Sequence, residues 1–144
     1  MKLYITGDHQ AQPYLACLKE NLNAQPNTFD IEWIDPEEAL DPINRYHSLA
    51  LKTAADPESF GVIIEEFGMA SFMIATKTKG LIATTVSDER TAYMSRQHNN
   101  AHLITIGPEL VSIPQAMRII KSFLAADYDG GRHQIRVDML NALC

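Results

Sequence analysis

Leu81-Ile82-Ala83-Thr84-Thr85-Val86-Ser87-Asp88-Glu89, and after a polar helical stretch His98-Asn99-Asn100-Ala101-His102-Leu103-Ile104-Thr105-Ile106-Gly107, decide the fold. The first six residues are apolar or β-branched and read as a strand. Ser87-Asp88-Glu89 supplies a helix N-cap and an acidic first turn. Asparagine at 99 and 100 suits the left-handed residue that ends a helix. Leu103 opens another strand. Two short apolar strands joined by one helix form a parallel pair, because such a connection crosses over right-handedly.

The same alternation extends in both directions. Leu3 to Thr6 reads as a first strand, and a helix follows from about Pro13 with Leu15, Leu18 and Leu22 on one face. Residues 28–34 alternate apolar and polar, as an edge strand does, and the acidic, proline-bearing stretch 35–42 reads as loop. A helix over 43–55 precedes Gly61-Val62-Ile63-Ile64, a run suited to a central strand covered on both faces. Helices are expected over 68–79, 113–126 and 132–143. The reading is α/β: a three-layer α/β/α sandwich on a five-stranded parallel sheet, with residues 1–144 as one domain.

Composition excludes several classes. The 144 residues carry a formal net charge of −6 and no basic block, which argues against sequence-independent binding to nucleic acid or an anionic membrane. No apolar run reaches the length of a membrane span, and no signal peptide is evident. Cys17 and Cys144 stand alone, with no CxxC spacing, so neither a metal site nor a disulfide framework is indicated. Cys17 reads as a buried, inert thiol on the apolar side of its helix, and a reducing cytoplasm fits.

In open α/β sheets, ligands bind beyond the carboxyl ends of the strands. Asp8-His9 follows the first strand and Glu65-Glu66 the third. His98-Asn99-Asn100, at the end of the fourth helix, is expected to gather with them. Asp8 and His9 read either as a pair that holds hydroxyls and moves protons, or as a helix cap beside an exposed imidazole. His98 reads as a site residue or as a cation on a helix dipole. Glu65 reads as a general base or as a solvated charge.

Gly130-Gly131-Arg132-His133-Gln134-Ile135-Arg136 sets two arginines one helical turn apart behind a diglycine. Like charges at i, i+4 oppose a helix by roughly 0.2–0.5 kcal/mol, and cations at its start oppose the macrodipole. A bound phosphate reverses both signs. The alternative is a pair of surface arginines matched with Asp129 and Asp138. Arg132 and Arg136 share a helix side with Met139, Leu140 and Leu143, which points that side at another surface.

Residues 86–101, residues 130–140 and the strand ending Gly7-Asp8-His9 together resemble the sugar-phosphate isomerase family of ribose-5-phosphate isomerase B and the galactose-6-phosphate isomerase subunits. Ser71-Phe72-Met73-Ile74-Ala75-Thr76-Lys77 and Asp138-Met139-Leu140-Asn141 are closest to the A-type branch. The resemblance implies a Rossmann or flavodoxin-like strand order and a C-terminal helix packed on a partner subunit. It also implies aldose–ketose isomerisation through a cis-enediol(ate), without metal or cofactor, in sites shared between two chains. His98 would open the sugar ring with Asn99 beside it. Arg132, Arg136 and His9 would hold the substrate phosphate, and Asp8 a sugar hydroxyl.

Catalytic members carry a cysteine base where this chain has Glu65, followed by a glycine-rich loop. Here the stretch is Glu65-Glu66-Phe67-Gly68-Met69-Ala70. A carboxylate pair repels a developing enediolate, so this half of the site reads as disabled. The resemblance therefore implies an A-type subunit that interconverts D-galactose 6-phosphate and D-tagatose 6-phosphate in lactose and galactose catabolism. A B-type partner would supply the cysteine. Two other readings stay open: a self-sufficient isomerase with Glu65 as base, and a non-catalytic sugar-phosphate-binding homodimer.

Overall fold

The computed structural model describes residues 1–26, 29–34 and 41–143. Five strands form one parallel sheet: β1 (Lys2–Gly7), β2 (Asp30–Trp33), β3 (Ser59–Ile64), β4 (Ala83–Thr85) and β5 (Leu103–Ile106). Helices α1 (Gln12–Asn23), α2 (Pro42–Ala55), α3 (Met69–Ala75), α4 (Glu89–Asn99), α5 (Ile113–Ala125) and α6 (Gln134–Asn141) complete it. Leu15, Leu18 and Leu22 of α1 share one core with Ala92 of α4 and Ile119 and Phe123 of α5. Tyr46, Leu49 and Ala50 of α2 pack with Ala75 of α3 on the opposite face. The three-layer α/β/α sandwich is thus as expected.

The strand order is β2-β1-β3-β5-β4. It follows the flavodoxin-like order through β2-β1-β3 and departs from it at the far edge, where the last two strands are exchanged. The reason is apolar content. Leu103-Ile104-Thr105-Ile106 is wholly buried and takes the inner position, whereas Ala83-Thr84-Thr85 is half-buried and suits an edge. All six residues of β3 are buried, as a central strand requires, and the alternating β2 lies at the other edge.

Several local expectations change. Asp41 caps α2 by accepting from Asn44 N–H, so Pro42 is the first residue of a helix and not part of a loop. The expected loop positions 35–40, Thr28 and Cys144 lie outside the described residues. Cys17 is exposed, because the 15/18/22 stripe alone faces the core and residue 17 projects away from it. The expected helix over 68–79 is confined to α3, beyond which turns lead into β4.

The expected final helix over 132–143 also divides. Gly130 and Gly131 both have positive φ, 56° and 53°, a conformation that side chains rarely adopt. His133 N–H bonds back to Gly130 O, which makes Gly131–His133 a 3₁₀ turn before α6. Val137 is the one buried residue of α6, while Ile135, Met139, Leu140 and, beyond its end, Leu143 are exposed.

Candidate functional site

The chemistry-bearing residues divide between opposite edges of the sheet. At the carboxyl edge, Asp8 N–H bonds to Ile64 O and Glu65 N–H to Ile106 O. At the amino edge, Gly61 N–H bonds to His102 O just after α4 has run back beneath the sheet. Strand β3 spans these edges with six residues, so they lie roughly 16 Å apart at about 3.3 Å per residue. The expectation that His98 gathers with Asp8 and Glu65 is therefore corrected. A helix that connects parallel strands runs antiparallel to them, so its last turn comes to the amino edge.

The carboxyl edge is acidic. Asp8, Glu66 and Glu109 line a cleft of about 320 Å³ together with Tyr14 and Pro108. Asp8 Oδ1 accepts from Ala11 N–H at 2.6 Å, so one of its oxygens serves the turn into α1, and His9 is exposed. Tyr14 donates to Val111 O at 2.9 Å, and burial pushes its pKa up to about 12.

Glu65 is half-buried, and its Oε2 accepts from both the N–H (3.3 Å) and the hydroxyl (3.2 Å) of Ser71 in the first turn of α3. Donors of this kind would otherwise face an oxyanion. The loop around it is closely packed. Thr105 Oγ1 donates to Gly68 O at 2.6 Å, and a Cβ on Gly107 would lie 2.6 Å from the Phe67 backbone. Beneath β1, buried Arg45 donates to Gly7 O at 2.9 Å, and Tyr46 is 2% exposed. Burial, then the Asp8 and Glu65 carboxylates, raise the pKa of Tyr46, and its hydroxyl has no hydrogen-bond partner among the described residues.

The amino edge is cationic. Arg136 Nη2 donates to His98 O at 3.0 Å and lies 3.4 Å from His133 Nδ1. The His133 ring stacks on His98 with centroids 4.3 Å apart and planes at 13°. Lost hydration, then His98, Arg132 and Arg136, hold the pKa of His133 below that of an ordinary imidazole, against the pull of Asp129. His98 and Asn99 are half-buried in the last turn of α4, and Arg132 is exposed in the 3₁₀ turn.

Neither arginine is ion-paired among the described residues. Asp138, the expected surface partner, instead accepts from Gln134. This edge can hold an anion beside an imidazole, and it joins His98, Arg136 and His133. Asp8, His9 and Glu65 stay apart from it. Sequence reading assigned no role to His133. Its place inside the arginine motif, one residue after Arg132, was the available signal.

Among the described residues no helix is long and apolar enough to cross a membrane, and no group of three or more His, Cys, Asp or Glu side chains is arranged to hold a metal ion. Residues 3–140 match the model of the family described as Ribose/Galactose Isomerase. The chain is 40% identical over 144 residues, covering all of both chains, to the galactose-6-phosphate isomerase subunit LacA 2 of Streptococcus pyogenes. It is 46% identical over 118 residues to subunit LacA of Streptococcus mutans, covering 82% of this chain and 83% of that one. Among solved structures, ribose-5-phosphate isomerase B of Mycoplasma genitalium with bound ribulose-5-phosphate superposes with a TM-score of 0.88 at 27% identity. That match covers 99% of this chain and 95% of the other. The type B enzyme of Trypanosoma cruzi reaches a TM-score of 0.90 at 26% identity, covering 99% and 97%.

Proposed function

The chain belongs to the ribose/galactose isomerase family of sugar-phosphate isomerases, and we propose that it is the A-type subunit of a galactose-6-phosphate isomerase. It interconverts D-galactose 6-phosphate and D-tagatose 6-phosphate only when joined to a B-type chain that brings a cysteine base. One observation carries this reading. The cationic edge with His98 and Arg136 is separated by the depth of the sheet from the chain's own carboxyl edge, where Glu65 already occupies Ser71 N–H. One small phosphosugar cannot touch both edges of one chain. Two chains set face to face bring one chain's cationic edge to the other's carboxyl edge.

In such a composite site, Arg132 and Arg136 grip the ester dianion with charge-assisted hydrogen bonds. His98 transfers the proton that opens the ring, and Asn99 holds the freed oxygen. The partner's thiolate then takes the proton from C2, and the thiol so formed returns it to C1 while a proton passes between the two enediolate oxygens, so that the cis-enediolate becomes the isomeric carbonyl and the thiolate is restored. The exposed Ile135, Met139, Leu140 and Leu143 form the surface that the second chain covers. In the chain's own carboxyl edge one Asp8 oxygen is committed to Ala11 N–H and His9 is exposed, and Glu66 and Glu109 nearby repel a dianion.

The test is to purify the chain alone, then mix it with the cysteine-bearing sibling and follow turnover of both hexose and pentose phosphates. The isolated chain should be nearly inactive and the mixture active. Strong turnover by the isolated chain would refute the heteromeric reading. Abolition of that turnover in Glu65→Gln would assign the base to Glu65.

A further inference from the structure

The last turn of α4 is also held by a network that the proposed chemistry leaves unused. Arg96 Nη1 donates to Asn100 Oδ1 and lies 3.0 Å from His102 Nε2. His102 Nδ1 lies 3.1 Å from Ser59 O. The Arg96 guanidinium sits 5.1 Å over the Phe60 ring, which stacks on His102 at 5.2 Å and 9°. A carbonyl only accepts and a guanidinium only donates. The proton of neutral His102 therefore belongs on Nδ1, leaving the Nε2 lone pair for Arg96.

An imidazolium would set N–H against N–H at this contact. Burial depresses the pKa of His102, with Ser59 O opposing and Arg96 reinforcing the shift. The charged groups that face this network are Arg96 from α4 and Asp127 beyond α5, while β3 contributes the Phe60 ring and the Ser59 carbonyl. Asn100 is left-handed, with φ 55°, and the N–H groups of Asn100 and Ala101 close on the carbonyls of Arg96 and Ser95. Asn100 is thus fixed through both backbone and side chain. The two residues before it are Asn99 and His98.

We propose that Arg96, held by neutral His102, is the positioning residue that orients the His98–Asn99 turn for ring opening. The assignment of ring opening rests on the function proposed above, whereas the coupling between His102 and His98 does not. Protonation of His102 withdraws the acceptor from Arg96, loosens Asn100 and displaces His98. Replacement of His102 by glutamine keeps an acceptor and removes the titration. Replacement of Arg96 by lysine keeps the charge and removes the planar fork.

Two measurements test this, with circular dichroism confirming that Arg96→Lys and His102→Gln fold. In the isolated chain, NMR titration should show in the His98 ring resonances a second inflection at the pKa of His102, over and above that caused by the stacked His133, absent in His102→Gln and kept in His133→Gln. In the mixed enzyme, Arg96→Lys should lower kcat at least tenfold with KM changed less than twofold, while His102→Gln should retain kcat and lose an acid-side step in the pH profile. A His98 signal blind to the His102 titration, or an unchanged kcat in Arg96→Lys, overturns the proposal. If the unaltered mixture is inactive but the second inflection is present, the heteromeric function fails and the coupling stands.

Discussion

Arg136 and Arg132 should contribute unequally to phosphate binding, and methionine at each position measures the difference. Arg136 is anchored in advance, with Nη2 on His98 O at 3.0 Å while the residue remains exposed. A charge-assisted hydrogen bond contributes about 1.5–3 kcal/mol, and solvent screening at this exposed position reduces a bidentate contact to about 2 kcal/mol. At 1.4 kcal/mol per decade, Arg136→Met raises KM about 30-fold. Arg132 is exposed and has no ion pair among the described residues. Ordering it on binding costs up to about 1.5–2 kcal/mol of rotamer freedom. The net is at most about 0.5 kcal/mol, or about twofold in KM for Arg132→Met. Steady-state kinetics of the mixed enzyme should show both changes in KM, with kcat altered less than threefold, because the phosphate is held equally in ground and transition states. An Arg132→Met defect as large as that of Arg136→Met, or a loss confined to kcat, would refute the anchoring argument.

Tyr46→Phe removes a buried hydroxyl that has no partner among the described residues, and it should stabilise the fold by about 1 kcal/mol, a rise of roughly 3 °C in Tm; a lower Tm by calorimetry would contradict the packing described. The depressed pKa of His102 makes its contribution to stability full above the unfolded imidazole value of about 6.5 and lost as pH falls toward the folded value. Urea midpoints should therefore decline over that window, and the decline should be shallower in His102→Gln. Asp88 accepts from the N–H and hydroxyl of Thr91, both at 2.8 Å. Asp88→Ala should cost about 1 kcal/mol in urea denaturation, whereas Asp88→Asn should stay close to the unaltered chain.

Much of this architecture is legible without coordinates. The Asp88 cap, the left-handed Asn100, the apolar stripe of α1 and the buried character of β3 each follow from a few adjacent residues. The candidate site was half legible. Arg132 and Arg136 stand out because their spacing opposes a helix unless an anion binds there, whereas His98 and Asn99 stand out through the family resemblance. Arg96 and His102 do not stand out, since a lone arginine and a lone histidine near a helix end signal nothing until Phe60 and Ser59 arrive from another strand. Cys17 was misread because helical periodicity locates a face, whereas burial depends on how wide a stripe the sheet covers.

Short-range chemistry settled the elements: caps, glycine turns and apolar periods act over three or four residues and need no partner. Which edge each functional group reaches is a matter of long-range packing. The greater apolar content of Leu103-Ile104-Thr105-Ile106 draws that strand inside Ala83-Thr84-Thr85. The run of α4 against the strands then carries His98 away from Asp8 and Glu65. Burial free energy is summed over the whole core, so this placement is encoded in no single segment, and with it comes the division of these groups between the two edges of the sheet.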